Sequence, residues 1–178
     1  SDLQKMSIEN DKLIIVPNGV DTNLFKPVTK ENKIKLRKKY NLPLNKPIVL
    51  FVGRLVAVKA FERLFDARDK DYLILFAGGG EIPKHMENDN NVLFLGEQNQ
   101  EKLSEIYQLS DLFCLPSKSE GFPLSVLEAM ASGLPCIVSD LTVYRQYFNK
   151  SCLKIINPKP EEIKKNIKLI LSNKNNIN

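Results

Sequence analysis

Along this chain, short unbroken apolar runs alternate with segments whose apolar residues return every three or four positions. Ile48–Val52, IVLFV, is rich in β-branched residues with no polar alternation, the pattern of a strand covered on both faces of a parallel sheet. Tyr72–Ala77, Leu112–Leu115 and Pro135–Ser139 read the same way, and Val92–Leu95 and Leu153–Ile156 read as further short strands. Between them, Lys59–Ala67 carries Phe61, Leu64 and Phe65 at helical spacing, and Glu101–Leu109 puts Leu103, Ile106 and Tyr107 on one face with Asn99 as a candidate cap. Thr142–Tyr147 reads as a short helix and Pro160–Ser172 as a closing one, with its proline in the first turn. Lys30–Tyr40 is a basic helix ended by Asn41 and Pro43, Glu81–Glu87 is a short segment, and PNGVD at Pro17–Asp21 reads as a turn because Asn-Gly tolerates positive φ.

Strands alternating with helices at this spacing predict the α/β class: a Rossmann-like open parallel sheet with helices on both faces, joined by right-handed crossovers. Ligands of such sheets bind outside the carboxyl ends of the strands, so the loops that start at Gly53, Gly78, Gly96 and Ser117 should gather on one edge. The stretch Ser117–Glu128, SKSEGFPLSVLE, is the strand-to-helix connection around which the rest is organised. Pro123 suits the first helical position, where its missing N–H is not needed, and it holds Phe122 out of the helix. Glu120 then falls in the loop and Glu128 on the helix. The N–H groups of Gly121, Phe122, Leu124 and Ser125 should cluster at the helix N-terminus, where they favour an anion or hydroxyl acceptors.

With 178 residues, 43% hydrophobic and 26% charged, the chain can bury one domain of ordinary size, and 1–178 is expected to be a single Rossmann-like domain. Residues 1–12 read as a linker tail and 173–178 as a fraying end. No run approaches the roughly 20 apolar residues of a membrane span, and SDLQKMSIEN lacks the features of a signal peptide, so a soluble, cytoplasmic protein is expected. Cys114, Cys136 and Cys152 have no C-x-x-C spacing, the first two lying in predicted buried strands, and His85 has no second His or Cys nearby; no metal site is expected. The net charge of +5 fits an anionic ligand or an acidic surface. Its densest part, 30–39, reads as a solvated helix face, with contact to the inner face of a membrane or to a partner domain as the alternatives. No aromatics alternate with these charges, which argues against nucleic acid.

GRLVAVK places Arg54 at a strand's carboxyl end and Lys59 at the start of the next helix, with Gly53 allowing close approach of a ligand; the two cations can reach one diphosphate. Gly78-Gly79-Gly80-Glu81 lacks the Lys-Ser/Thr of a Walker motif and reads as a turn that can line the site. Glu120 and Glu128 do not suit a glycosidase: eight helical residues span about 12 Å, beyond the roughly 5 to 9.5 Å needed across a scissile bond. Each carboxylate can instead hold a vicinal diol, one on a ribose and one on a sugar.

In this order, PNGVD, FVGRLVAVK, FAGGGE, VLFLG and SEGFPLSVLEAMASGLPCIVS resemble the C-terminal domain of the GT-B glycosyltransferases of family 4, the group 1 glycosyltransferases, over about Leu13–Ser139. The resemblance implies a retaining, usually metal-independent transferase with no cofactor, working on a UDP- or GDP-linked sugar in a cleft between two Rossmann-like domains. By position it implies that Arg54 and Lys59 neutralise the diphosphate and that Glu128 holds the ribose. It further implies that Glu120, Gly121, Phe122, Pro123 and Leu124 meet the donor sugar and that Gly96 to Gln98 lie near the base. The implied partners are an N-terminal domain absent from this chain and an acceptor glycan or lipid-linked sugar, with peripheral membrane association among the expectations; the chain alone should be inactive. Ala60 departs from the family's usual Gly after the Lys, and Ala57-Val58 is more apolar than usual. A GT-B nucleotide-sugar epimerase and a non-catalytic nucleotide-binding scaffold are the alternatives, the first weakened by the lack of an identifiable acid/base His.

Overall fold

The structure, a computed structural model, describes residues 18–149 and 152–175. The linker expected at 1–12 and Pro17 of the expected turn lie outside the described residues.

Helix α1 (Lys30–Lys39) leads to β1 (Ile48–Val52), α2 (Phe61–Asp66), β2 (Leu73–Ala77), a 3-10 turn (Lys84–Met86), β3 (Val92–Gly96), α3 (Gln100–Leu109) and β4 (Leu112–Leu115). Helix α4 (Leu124–Ala131), β5 (Cys136–Ser139), α5 (Thr142–Tyr147), β6 (Leu153–Ile156) and α6 (Pro160–Asn175) complete it. The strands are parallel throughout and lie in the order β3-β2-β1-β4-β5-β6. Strand order therefore reverses between β1 and β4, where Val49 faces Leu112 and Leu50 faces Phe113. Connections leave that seam in opposite directions, so right-handed crossovers open a crevice above it, at the carboxyl ends of β1 and β4.

Every residue of β1, β2, β4 and β5 is buried, which is why these segments carry no polar alternation. Helix α1 packs on α3, α3 on α4, and α2 on α6. Between β1, β2, β3 and α2, Phe51, Phe61, Phe76 and Phe94 pack ring to ring, with Phe76 stacked on Phe94 at 4.9 Å and edge-on to Phe61 at 6.1 Å. Such pairs contribute roughly 0.5–1.5 kcal/mol each beyond the area they bury.

Some local expectations are corrected. Neither Asn18 nor Gly19 adopts positive φ; the turn lies further on, where Phe25 N–H donates to Asp21 O at 2.9 Å and Asn23 N–H to the Asp21 carboxylate at 2.9 Å. Asp21 rather than Asn-Gly makes the turn, through its side chain's bond to its own backbone two residues on. Helix α6 runs three residues beyond its expected end at Ser172. The basic helix is only partly solvated. Lys33 pairs with Asp111 Oδ1 at 2.6 Å, the buried Arg37 pairs with the other oxygen of Asp111, and Lys39 pairs with Glu105 at 2.6 Å. Asp111 Oδ2 also accepts from Ile48 N–H at 2.8 Å, so this cluster ties α1 to the entry of β1 and β4.

Candidate functional site

The loops after β1 and β2 are laced together by backbone. Gly53 N–H donates to Ala77 O at 3.0 Å and Leu55 N–H to Gly79 O at 2.7 Å. A Cβ on Gly78 would lie 2.0 Å from the Gly53 carbonyl oxygen, so no other residue fits that approach. A Cβ on Gly80 would come within 2.7 Å of Leu55. The glycine run is thus the support of the GRLVAVK loop, a role its composition alone did not distinguish from lining a ligand.

Lys59 lies in that loop and not in the helix, because Lys59 N–H turns back to Val56 O at 2.9 Å and Ala60 then adopts left-handed backbone, φ 48° and ψ 36°. Helix α2 starts only at Phe61, two residues later than its spacing predicts. Left-handed backbone at Ala60 costs roughly 1–2 kcal/mol relative to the ordinary helical region. It directs the chain so that Lys59 Nζ meets both oxygens of Glu120, at 2.7 and 2.9 Å.

Glu120 enters from the loop after β4, with its side chain 6% exposed against 21% for Lys59. Lys118 N–H donates to Val58 O at 2.8 Å, a second tie between the two loops. Two of the three Lys59 ammonium donors are taken by Glu120, which leaves one for another acceptor. Arg54, on the same β1 loop, is exposed and has no ion-pair partner among the described residues. The Tyr144 phenol of α5 is buried without a hydrogen-bond partner among the described residues. Burial and then the charge of Glu120 hold its ionisation far above the ordinary tyrosine range, so it is a neutral donor.

Pro123 is the residue before the helix, with extended backbone at φ −77° and ψ 105°, and not its first helical residue as expected. Its ring makes no demand on a donor in either place, so the correction shortens the helix without changing what its start presents. The N–H groups of Gly121, Phe122, Leu124 and Ser125 make no backbone hydrogen bond outside the helix among the described residues. Phe122 is half-buried, stacked on Phe148 at 6.2 Å and edge-on to Tyr147 at 5.8 Å, while Gly121 and Leu124 are exposed.

Glu128, one turn further along α4, is half-buried and accepts from the Tyr107 hydroxyl at 2.8 Å. Burial pushes its carboxyl above the usual range, and the Tyr107 bond draws it only part of the way back. Tyr107 is fully buried and kept neutral by that burial and by the charge of Glu128. In the sequence it counted only as a core position of α3; its need of a partner for a buried hydroxyl was the signal of a polar neighbour.

The structure therefore brings Lys59 and Glu120 together across the loops after β1 and β4, with Arg54 on the first loop and the start of α4 directly after the second. Gly96 and Gln98 stand at the end of β3, two strands from β1 and so about 10 Å across the sheet edge. Gly96 has positive φ (67°) and its carbonyl accepts from Gly78 N–H at 2.8 Å, Gln98 donates to Leu95 O, and among the described residues neither bonds to Arg54, Lys59, Glu120 or Glu128. His85 packs edge-on to Phe65 at 5.9 Å. Among the described residues no cluster of three or more His, Cys, Asp or Glu could hold a metal, and no helix is long and apolar enough to cross a membrane.

This arrangement has relatives. An Escherichia coli UDP-Gal:alpha-D-GlcNAc-diphosphoundecaprenol alpha-1,3-galactosyltransferase is 32% identical over 157 residues, which cover 78% of this chain and 39% of that protein. The sucrose-phosphate synthase of Thermosynechococcus elongatus superposes with a TM-score of 0.75 at 27% identity, over 88% of this chain and 42% of its own. Anabaena HepE, solved with UDP-glucose, shares the fold with a TM-score of 0.76 at 20% identity, over 89% of this chain and 47% of its own. The chain thus spans less than half the length of these relatives. Its residues 32–178, from α1 through both loops of the crevice to the end of the chain, match the glycosyl transferases group 1 family, to which the chain belongs.

Proposed function

We propose that this chain is the donor-binding part of a retaining glycosyltransferase, which takes a sugar from a nucleotide-diphosphate sugar and passes it to an acceptor. The observation that carries the reading is the meeting of Lys59 and Glu120 across the β1–β4 crevice, on the edge where Arg54 and the N–H groups at the start of α4 also lie. Cations and N–H groups aimed at one spot stabilise the charge that develops on a departing diphosphate, usually the largest electrostatic contribution to such a transfer. Arg54 and the remaining Lys59 donor take the phosphates, Glu120 takes the hydroxyls of the donor sugar, Glu128 takes the ribose, and Gly96 to Gln98 border the base. The resemblance of the Glu120–Glu128 segment to the family 4 transferases is what supports a retaining outcome. The name of the E. coli relative and the bound UDP-glucose of HepE support a UDP-linked donor, with GDP-linked sugars as the comparison. The relative's diphosphoundecaprenol substrate supports a lipid-linked sugar or glycan as acceptor.

The acceptor wall belongs to an N-terminal domain outside this chain, and transfer needs both reactants held together. The chain should bind nucleotide sugar with micromolar to millimolar affinity, about 4–8 kcal/mol, and transfer nothing alone. Thermal shift of the chain with UDP, GDP, ADP and their sugars tests this, because a ligand of the folded state raises its melting temperature. A saturable rise with one nucleotide series is expected; none with any of them would refute the reading.

A further inference from the structure

The Tyr107 ring is clamped between Phe25, edge-on at 5.7 Å, and Phe113 of β4 at 6.0 Å. Nothing of the ring is exposed, so its hydroxyl has a fixed direction, toward α4. It meets Glu128 Oε2 at 2.8 Å and the Ser125 carbonyl at 3.1 Å. A neutral phenol has one proton, and a carboxylate is the stronger acceptor, so the proton goes to Glu128. No other hydrogen bond or ion pair reaches the Glu128 carboxylate among the described residues, which leaves Oε1 without a protein donor there. The titratable groups that act on this pair are the two partners and the Cys136 thiol of β5, and no cation forms an ion pair with Glu128 among the described residues.

We infer that Tyr107 is a positioning residue of the nucleotide site: its hydroxyl locks one oxygen of Glu128 so that the other is held ready for the ribose hydroxyls of a nucleoside diphosphate. This rests on the reading of Glu128 as the ribose acceptor. A half-buried carboxylate with no donor would swing between rotamers or take up a proton, and in either case it would lose acceptor strength toward a diol. A single fixed donor suppresses both without competing for the hydroxyls, whereas a lysine or arginine there would hold the second oxygen as well.

The test uses the 178-residue chain with UDP and 2′,3′-dideoxy-UDP as probes, in calorimetry from pH 5 to 8, and reads the Glu128 carboxyl by carbon-13 NMR. Tyr107→Phe keeps the ring and removes the donor. It should weaken UDP about tenfold, as loss of a hydrogen bond to a charged group does, and leave the dideoxy nucleotide unchanged. It should also move the Glu128 titration to higher pH, so that UDP affinity starts to fall earlier on acidification. Equal loss for both nucleotides, or an unmoved Glu128 titration, would overturn the inference and leave Tyr107 a packing residue. Glu128→Gln separates the two readings: if it weakens both nucleotides alike, the ribose assignment fails, whatever Tyr107→Phe does to the titration. If Tyr107→Phe does not fold, 3-fluorotyrosine incorporated at Tyr107 keeps the fit and strengthens the donor. It should then lower the Glu128 midpoint and tighten UDP, and no change in either would count against the inference.

Discussion

Lys59 Nζ lies 2.7 and 2.9 Å from the two carboxylate oxygens of Glu120, 61 residues away in the chain. Their motifs suggest separate tasks, one at the phosphates and one at the sugar. Their pairing makes the two loops of the crevice a single unit.

Removing one member should therefore cost more than removing both. Lys59→Met leaves the buried Glu120 carboxylate without its cation, a loss of about 3 kcal/mol, while Lys59→Met with Glu120→Gln should recover most of it. Urea denaturation of the double-mutant cycle checks this, and additive losses would mean that the pair is not formed.

Ala60 offers a gain. Its left-handed backbone, φ 48°, favours glycine, and Ala60→Gly should stabilise the chain by about 0.5–1 kcal/mol, the relieved strain exceeding the entropy that glycine adds to the unfolded state. Lys59 stays where it is, so nucleotide affinity should not change. A loss of stability in urea denaturation would show that the Ala60 methyl is needed for packing.

Most of the sheet was legible because β1, β2, β4 and β5 are buried on both faces, and a short apolar run without polar alternation suits a covered strand better than a surface helix or a loop. The boundaries of α2 were not, since helical spacing at Phe61, Leu64 and Phe65 cannot reveal that Ala60 turns left-handed just before them. The candidate residues could be picked out from their motifs, but their pairings could not. Lys59 with Glu120, Tyr107 with Glu128, and Lys33 and Arg37 with Asp111 each join distant segments, and no local pattern records such a contact. The charge-dense helix looked solvated for the same reason.

Asp111 should govern acid stability. Burial works against its charge, but Lys33, Arg37 and the Ile48 N–H outweigh that and hold its carboxyl below the usual range. A carboxyl with a lowered folded value contributes stability that is present above the unfolded value, about pH 4, and is lost as pH falls through the folded one. Asp111→Asn should cost about 3 kcal/mol at pH 7, because the buried Arg37 and the largely covered Lys33 lose their counter-charge. The difference from wild type should shrink below pH 4 in urea denaturation followed across pH, and a constant difference would contradict the assignment.

A diphosphate bound between β1 and β4 is what every assigned role depends on. Arg54 tests it most directly, because it is exposed and without an ion-pair partner among the described residues, so its removal should leave the fold alone. The measurement is calorimetric titration of UDP and UDP-glucose into the wild-type chain and into Arg54→Ala. A loss of about tenfold or more for both ligands, with an unchanged melting temperature, is the result predicted for a charge-assisted phosphate contact. Equal affinity in the two proteins would place the diphosphate elsewhere.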